Sequence, residues 1–135
     1  MMYNIKTGWG GISKRSNEEI VVLVSSLSKL QEKGVRFVFT DRHAYLQAAN
    51  FFGDARQLDR IDWDLLEARD FKRDPNNPGK FERYEAEALA YRYVPVDALL
   101  GVGCFDTTTQ AAITAEVRAV AAPIVAVLRP EWYFR

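Results

Sequence analysis

The sequence has one cysteine, one histidine and no long apolar run among its 135 residues. A single cysteine excludes an internal disulfide and a cluster of thiolates around a metal ion. A single histidine excludes a metal site built from several histidines, so we expect no bound metal. No secretory signal or transmembrane segment is evident, which predicts a cytoplasmic protein without a membrane partner. The formal net charge is zero, so no overall basic field indicates a nucleic-acid partner.

The composition is that of an ordinary globular protein, and the length predicts a single domain over residues 1–135. Runs of β-branched and aromatic residues predict strands at Ile20–Val24, Val35–Phe39, Lys80–Pro95, Ala98–Phe105 and Ile124–Leu128. Apolar residues at helical spacing predict short helices at Ser25–Lys33, Arg42–Phe52, Asp62–Arg69 and Gln110–Ala122. This mixture predicts an α+β fold with a largely antiparallel, strongly bent sheet.

Single residues predict some details of these elements. Thr40 or Asp41 is expected to cap the helix that follows it, and Thr107–Thr109 offers a cap for the last helix. Gly101 and Gly103 are expected to let a neighbouring backbone approach their strand closely. Cys104 lies in the same apolar strand and is interpreted as a small core residue and not as a nucleophile.

The stretch Lys80–Pro95 carries the strongest chemical signal. If it is a strand, Glu85 and Glu87 point to the same face, about 7 Å apart along the chain. The polar loop Asp70–Lys80, rich in turn residues, leads directly into it. Paired acids alone are more often part of a solvated strand face. A long loop next to them favours a substrate site, because recognition residues concentrate on loops held by a scaffold.

Two other features allow both a structural and a functional interpretation. His43 follows a strand, where it either makes a local hydrogen bond or contacts a nucleotide or base. The aromatic side chains Tyr84, Tyr91 and Tyr93 fit core packing and, less well, a platform on which bases stack. The sequence pattern leaves these alternatives open.

Segments spread over nearly the whole chain resemble, in order, the DarT family of DNA ADP-ribosyltransferase toxins. They are MMYNIKTG, RSNEEIVVLVSSLSKL, FVFTDRHAY, DRIDWDLLEARDFKRDP, RYEAEAL, VPVDALLGV and RPEWYF. The resemblance implies an ADP-ribosyltransferase-like split antiparallel sheet with short flanking helices. It implies an enzyme that uses NAD to attach ADP-ribose to a base, typically thymine, in single-stranded DNA. It also implies a macrodomain antitoxin of the DarG type that reverses the modification.

The resemblance assigns roles to individual residues. Glu87 matches the catalytic glutamate, which stabilises the positive charge that builds on the ribose when nicotinamide leaves. Asp70–Lys80 matches the recognition loop. The residues implied for recognition of the acceptor are Arg73, Asn76, Asn77, Arg83, Tyr84 and Glu85. The candidate nucleotide contacts are Tyr3, Arg42 and His43.

Two departures from the family pattern qualify these expectations. Glu85 stands where glutamine is expected in many relatives, and a carboxylate there suits an acceptor that loses a proton or is cationic. Relatives also carry a histidine-containing NAD motif and an essential arginine before the segment that matches Met1–Tyr3. The chain is therefore expected to be the C-terminal part of an ADP-ribosyltransferase domain whose N-terminal part is missing.

Two alternatives to a DNA-modifying enzyme stay open at this point. The first is a catalytically inactive remnant that binds single-stranded DNA or an antitoxin through Asp70–Lys80 and the neighbouring tyrosines. The second is a protein ADP-ribosyltransferase, which only Glu85 favours.

Overall fold

The computed structural model of the chain describes residues 2–133, and its side chains from residue 4 to residue 133. The described part has the strands β1 (Val21–Val24), β2 (Phe37–Thr40), β3 (Phe51–Phe52), β4 (Ala88–Ala90), β5 (Gly101–Cys104) and β6 (Val125–Leu128). Its helices are α1 (Met2–Thr7), α2 (Leu27–Glu32), α3 (Trp63–Ala68), α4 (Lys80–Tyr84) and α5 (Thr107–Ala119). The contacts group these elements into two compact units, so the prediction of a single domain stays a prediction.

The first unit combines the chain up to Lys33 with the chain from Val94 onward. Its sheet has the order β1-β5-β6, in which β1 and β5 are antiparallel and β5 and β6 are parallel. Helix α5 makes the connection between the two parallel strands, as such a crossover requires. The central strand β5 is buried throughout, which is expected for a strand with a partner on each edge.

Two glycines allow β5 to occupy this central place. A Cβ atom at Gly101 would lie 2.8 Å from the carbonyl oxygen of Val125, and one at Gly103 would lie 2.8 Å from the ring of Trp132. The predicted close approach of a neighbouring backbone is therefore confirmed at Gly101, whereas Gly103 is approached by a side-chain ring and not by a backbone. Cys104 is fully buried, and burial raises the pKa of its thiol. Its interpretation as a core residue is confirmed as well.

The second unit is Gly34–Tyr93, and its sheet has the order β3-β2-β4 with both pairs antiparallel. Phe39 in the central strand pairs with Phe52 on one side and with Ala88 on the other. The rings of Phe39 and Phe52 lie 5.3 Å apart, and Phe39 and Thr40 are almost completely buried. These contacts form the centre of the unit.

The predicted strand Lys80–Pro95 is wrong for most of its length. Lys80–Tyr84 forms the short helix α4, and only Ala88–Ala90 forms a strand. An extended segment needs a partner for its backbone hydrogen bonds, and the partner β2 is only four residues long. Residues before Glu87 therefore satisfy their backbone groups locally, by turns such as Glu85 N–H to the Glu82 carbonyl at 3.2 Å.

The predicted helix Arg42–Phe52 is also wrong, because this segment is a series of turns that ends in strand β3. Asp41 does not cap a helix. Its carboxylate accepts hydrogen bonds from the backbone N–H and the side-chain amide of Asn50, at 3.0 and 2.8 Å. These bonds close the segment into a loop, and Phe51–Phe52 pairs with β2.

The remaining helices follow the predictions with small shifts. Asp62 caps α3 as expected, because its carboxylate accepts from the Leu65 N–H. Helix α5 begins three residues earlier than predicted, because its cap is Asp106 and not a threonine of Thr107–Thr109. Three of the four strand pairs in the described residues are antiparallel, which agrees with the predicted α+β class. Over residues 2–133, no helix is both long enough and apolar enough to cross a bilayer.

Candidate active site

The backbone of Glu87 is held in place by hydrogen bonds to the neighbouring strand β2. The residue directly precedes β4, and its carbonyl oxygen accepts the Thr40 backbone N–H at 2.9 Å. The Thr40 hydroxyl, which is completely buried, lies 3.3 Å from the same oxygen. Because β2 continues the pairing through Phe39 and Ala88, the backbone at Glu87 is fixed on a sheet and not on a free loop.

The carboxylate of Glu87 is anchored by one oxygen only. Its Oε1 accepts the backbone N–H of Ala44 at 2.7 Å and lies 3.3 Å from Nδ1 of His43. Among residues 4–133, no side chain or backbone amide donates a hydrogen bond to Oε2. The side chain is 34% exposed, so a ligand can reach it. An anion held by one oxygen, with the other free to accept, suits the stabilisation of positive charge in a bound ligand.

His43 lies beside this carboxylate. Its Nδ1 lies 3.2 Å from the backbone nitrogen of Tyr45 and 3.3 Å from Oε1 of Glu87. This nitrogen carries either a lone pair or a proton, so it accepts from Tyr45 or donates to Glu87, but not both at once. The imidazole is half exposed. Its predicted contact with a nucleotide stays a prediction.

Asp41 holds the loop that supplies the Ala44 N–H group. Partial burial on its own would raise the pKa of Asp41, but hydrogen bonds from Asn50 and Arg42 together hold that pKa below its usual range. Arg42 also lies 3.4 Å from a carboxylate oxygen of Glu82. The guanidinium of Arg42 therefore lies between two carboxylates, and its predicted nucleotide contact stays a prediction.

The charge on Asp41 leads to a pH-dependent prediction. Because its pKa is lowered in the folded loop, the stabilisation is complete above the usual range of aspartate, near pH 4. It is lost as the pH falls through the lowered pKa. We expect the protection of the Ala44 and Asn50 amides against hydrogen exchange, measured by NMR and corrected for intrinsic rates, to fall on acidification.

The matched variant for this measurement is Asp41→Asn, which keeps the size of the side chain but removes the charge. We expect it to show weaker protection of the Asn50 amide at neutral pH and a smaller further loss at that amide on acidification than the parent protein shows. Equal protection in both proteins at all pH values would contradict the assigned role of Asp41.

Arg83 and Asn77 connect the predicted recognition loop to helix α3. Arg83 donates to the carboxylate of Asp62 at 2.9 Å and to the side-chain oxygen of Asn77 at 3.0 Å. Asp62 is at the same time the N-terminal cap of α3. Two donors of Arg83 are thus used within the protein, which favours a positioning role for this arginine.

Lys80 closes the recognition loop from inside. The residue is only 5% exposed, and its ammonium group donates to Asp70 at 2.8 Å and to the carbonyl of Lys72 at 2.9 Å. The hydrogen bond from Lys80 lowers the pKa of the Asp70 carboxyl. The last residue of the loop therefore binds its first residues, which closes the eleven-residue segment into a ring.

We expect Lys80→Met to loosen this loop and to lower the free energy of unfolding by only about 1 kcal/mol, because Asp70 is more than half exposed. Limited trypsin digestion is a direct measurement, since Lys72 and Arg73 are cleavage sites within the loop. Cleavage there should become faster in Lys80→Met and stay unchanged in Lys14→Met, whose side chain is exposed elsewhere. Equal cleavage rates in all three proteins would refute the closing role.

The other predicted site residues are distributed around this loop. Arg73 and Asn76 are exposed on it, and Asp74 forms a turn with the Asn76 N–H. The ring of Tyr84 packs 4.8 Å from that of Phe71, which agrees with a packing role, and its hydroxyl is buried without a partner among the described residues. The side chain of Tyr3 lies outside the described residues.

Glu85 does not share a strand face with Glu87, contrary to the prediction. It ends helix α4, and its side chain is exposed without a polar partner in the part of the chain that the structure describes. Glu85 is two residues before Glu87 in the chain, but it lies in the turn that ends α4, whereas Glu87 directly precedes β4. Whether Glu85 contacts the acceptor stays a prediction.

Sequence reasoning missed three groups that build the site. The Ala44 N–H and Lys80 carry no sequence signal, because a backbone amide is invisible in a pattern and a lysine in a polar loop is normally exposed. The sequence pattern indicates Thr40 only as a candidate helix cap. Among the side chains of residues 4–133, no three or more histidine, cysteine, aspartate or glutamate residues are grouped as a metal site requires.

Comparison with known proteins gives one consistent result. A family model described as "ssDNA thymidine ADP-ribosyltransferase, DarT" matches residues 1–134. The chain is 51% identical over 106 residues to a DNA ADP-ribosyl transferase of Escherichia coli O127:H6, a match that covers 78% of this chain and 49% of the relative. It is 34% identical over 119 residues to one of Thermus aquaticus, covering 86% and 50% respectively. The chain thus spans about half the length of these curated relatives.

Solved structures give the same result for the fold. The chain resembles Thermus sp. 2.9 DarT in complex with NAD+ with a TM-score of 0.82 and 26% identity, over 98% of this chain and 66% of that one. It resembles the same protein in complex with ADP-ribosylated ssDNA with a TM-score of 0.86 and 25% identity, over 98% and 63%. The predicted ADP-ribosyltransferase-like fold is therefore confirmed.

Proposed function

We propose a function for this chain from one premise: the chain belongs to the DarT family, whose description names a single-stranded DNA thymidine ADP-ribosyltransferase. In the whole protein, this chain takes part in the transfer of ADP-ribose from NAD to thymine in single-stranded DNA, and Glu87 is the catalytic residue. The observation that carries the proposal is the Glu87 carboxylate, fixed through Oε1 and open at Oε2.

NAD supplies an activated ribose: the bond from its C1′ to nicotinamide breaks with both electrons leaving on nicotinamide, and a base nitrogen forms the new bond to C1′. Positive charge builds on the ribose ring during this exchange. Glu87 places a negative charge where that charge develops, and its Oε2 can accept a ribose hydroxyl. Because the Ala44 N–H and the β2–β4 pairing already hold the side chain, little reorganisation is needed when the charge appears.

Glu85 is proposed to face the acceptor. The nitrogen that bonds to C1′ must lose its proton if it carries one. In thymine, the ring nitrogen between the two carbonyl groups carries a proton. An exposed carboxylate two residues before Glu87 can take up such a proton. This assignment explains why a carboxylate at position 85 is compatible with thymine as the acceptor.

The loop Asp70–Lys80 is proposed to select the DNA. It is closed by Lys80 and connected to α3 by Arg83 and Asp62, so its exposed residues are held on a defined backbone. Arg73 offers a cation to the DNA backbone, and Asn76 offers an amide to a base edge. Preorganisation of this kind reduces the entropy lost when DNA binds.

The further partner is proposed from family membership. A macrodomain antitoxin of the DarG type would remove the ADP-ribose that this protein adds. Both proteins would then act in the cytoplasm, where DNA and NAD are available.

The test is transfer of label from radiolabelled NAD. It uses this chain and an extended protein, in which the residues that the Escherichia coli relative carries beyond the matched segment are added. We expect the extended protein to label a thymine-containing single strand and to leave a strand of the same length without thymine unlabelled. Label on added proteins in place of DNA would favour the protein ADP-ribosyltransferase. Absence of all transfer by a folded extended protein would favour the inactive remnant.

A further inference from the structure

A cluster of two arginines and one tyrosine at the end of β4 has no part in the proposed chemistry at Glu87. The guanidinium carbon of Arg36 lies 4.2 Å from the centre of the Tyr91 ring, and that of Arg92 lies 5.1 Å from it. The backbone fixes the first of these contacts, because the Tyr91 N–H donates to the Arg36 carbonyl at 2.8 Å. All three side chains are exposed.

The positive charges of this cluster are not compensated. Arg42 and Arg83 each lie next to carboxylates, but no carboxylate of the described residues is within ion-pair distance of Arg36 or Arg92. A ring contact through the flat face of a guanidinium leaves its N–H groups, which lie in the plane, free to donate. Tyr91 therefore brings two guanidinium groups close to one ring, and each guanidinium carries donors that can bind a phosphate.

Two further observations mark this end of the strand. Arg92 has a φ of 69°, in the left-handed region that residues other than glycine rarely adopt. Strained backbone of this kind is concentrated at binding sites. An open groove of about 570 Å³ lies beside the cluster, lined by Arg36, Phe37, Val38, Leu89, Ala90 and Tyr91.

We propose that the Arg36–Tyr91–Arg92 cluster binds a backbone phosphate of the single-stranded DNA, with the adjoining nucleotide in the groove. The inference rests on the proposed function and adds a second contact region for the same substrate. Its arginines are the binding groups, and Tyr91 is a positioning residue.

The position of the cluster favours DNA over NAD as the source of the phosphate. Glu87 directly precedes β4 and Tyr91 directly follows it, so roughly 13 Å of extended chain separates them. The pyrophosphate of NAD is joined through one methylene group to the ribose that loses nicotinamide, and it stays close to Glu87. A DNA strand continues away from its target base and can reach the cluster.

The test measures binding and turnover separately in the extended protein. Anisotropy of a fluorescent thymine-containing oligonucleotide gives Kd over a range of salt concentrations, and label transfer gives KM for the oligonucleotide and for NAD. Arg36→Gln and Arg92→Gln should each raise Kd and KM for the oligonucleotide roughly three- to tenfold. Each should lower the slope of log Kd against log salt by about 0.7 and leave KM for NAD unchanged.

The tyrosine variants separate positioning from simple loss of fold. Tyr91→Leu should weaken oligonucleotide binding like the arginine variants, and Tyr91→Phe, which keeps the ring face, should restore it. Arg118→Gln removes an exposed charge of helix α5 in the other unit and should bind DNA like the parent protein.

The outcomes distinguish this inference from the proposed function. Unchanged oligonucleotide affinity and salt slope in Arg36→Gln and Arg92→Gln would overturn the inference, even if transfer to DNA occurs. An increase in KM for NAD alone would overturn it as well, because the cluster would then bind the pyrophosphate. Oligonucleotide binding that these variants weaken, in a protein without transfer, would support the cluster and refute the proposed enzyme.

Discussion

Replacement of Glu87 by glutamine is expected to reduce transfer of ADP-ribose by the extended protein about 10²–10³-fold. Glutamine keeps an oxygen that can accept from the Ala44 N–H, so the side chain should stay in place. It removes the negative charge that opposes the charge developing on the ribose. Deletion of a single electrostatic group from an active site has an effect of this size, about 3–4 kcal/mol. The rate of nicotinamide release with DNA present is the measurement.

The matched control is Glu67→Gln, which neutralises an exposed glutamate of helix α3. Its rate should equal that of the parent protein, and the free energy of unfolding should be similar for both variants. A Glu87→Gln protein that releases nicotinamide at more than a tenth of the parent rate would show that Glu87 is not the catalytic carboxylate.

Replacement of Gly103 by alanine is expected to lower the free energy of unfolding of this chain by about 1–3 kcal/mol. The added Cβ would lie 2.8 Å from two ring carbons of Trp132, and Cβ of Val22 is 3.6 Å away on the neighbouring strand. The Trp132 ring is 39% exposed and can move aside, but the movement would cost the ring its contact with β5. Urea unfolding followed by tryptophan fluorescence is the measurement.

Gly53→Ala is the appropriate comparison for this variant. A Cβ at Gly53 would have no neighbour within 4 Å, and the residue does not adopt a positive φ. Alanine there should be neutral or slightly stabilising, because it restricts the unfolded chain. If Gly103→Ala is as stable as Gly53→Ala, the Trp132 ring does not pack closely on Gly103 of β5.

The elements of the first unit were largely predictable, because local sequence and tertiary structure agree there. The β-branched residues of Val21–Val24 form a strand, and Gly101 and Gly103 identify the strand that is approached most closely. The stop of α5 was placed later than it occurs, since Ala121 adopts a φ of 50° before Pro123 is reached. Both ends of α5 differ from the prediction by three residues, so the errors are confined to the ends of the helix.

The second unit was harder to predict, because tertiary pairing decides its local structure. An alternating pattern over Lys80–Pro95 predicted one long strand, but β2 offers a partner for only a few residues. Aspartate is a residue type that commonly caps helices, but Asp41 closes a loop with Asn50 and caps no helix. The choice between a cap and a loop closure depends on a residue nine positions away, which no local pattern reveals.

The assignment of Glu87 rests on the family resemblance, because the strand geometry expected around this residue does not occur. The pair of acids on one strand face does not exist, since Glu85 ends a helix. What makes Glu87 suitable is the Ala44 N–H, which reaches it from a loop 43 residues earlier in the chain. Contacts of this separation follow from the fold and could not be read from the sequence.

The most direct test of the central claim is mass spectrometry of a single-stranded oligonucleotide that contains one thymine. It would be incubated with NAD and either the extended protein or its Glu87→Gln variant. The proposed function predicts one added ADP-ribose, located on the thymine base by fragmentation, with the parent protein and none within the same time with the variant. An unmodified oligonucleotide after incubation with a folded parent protein, or modification that persists in Glu87→Gln, would contradict it.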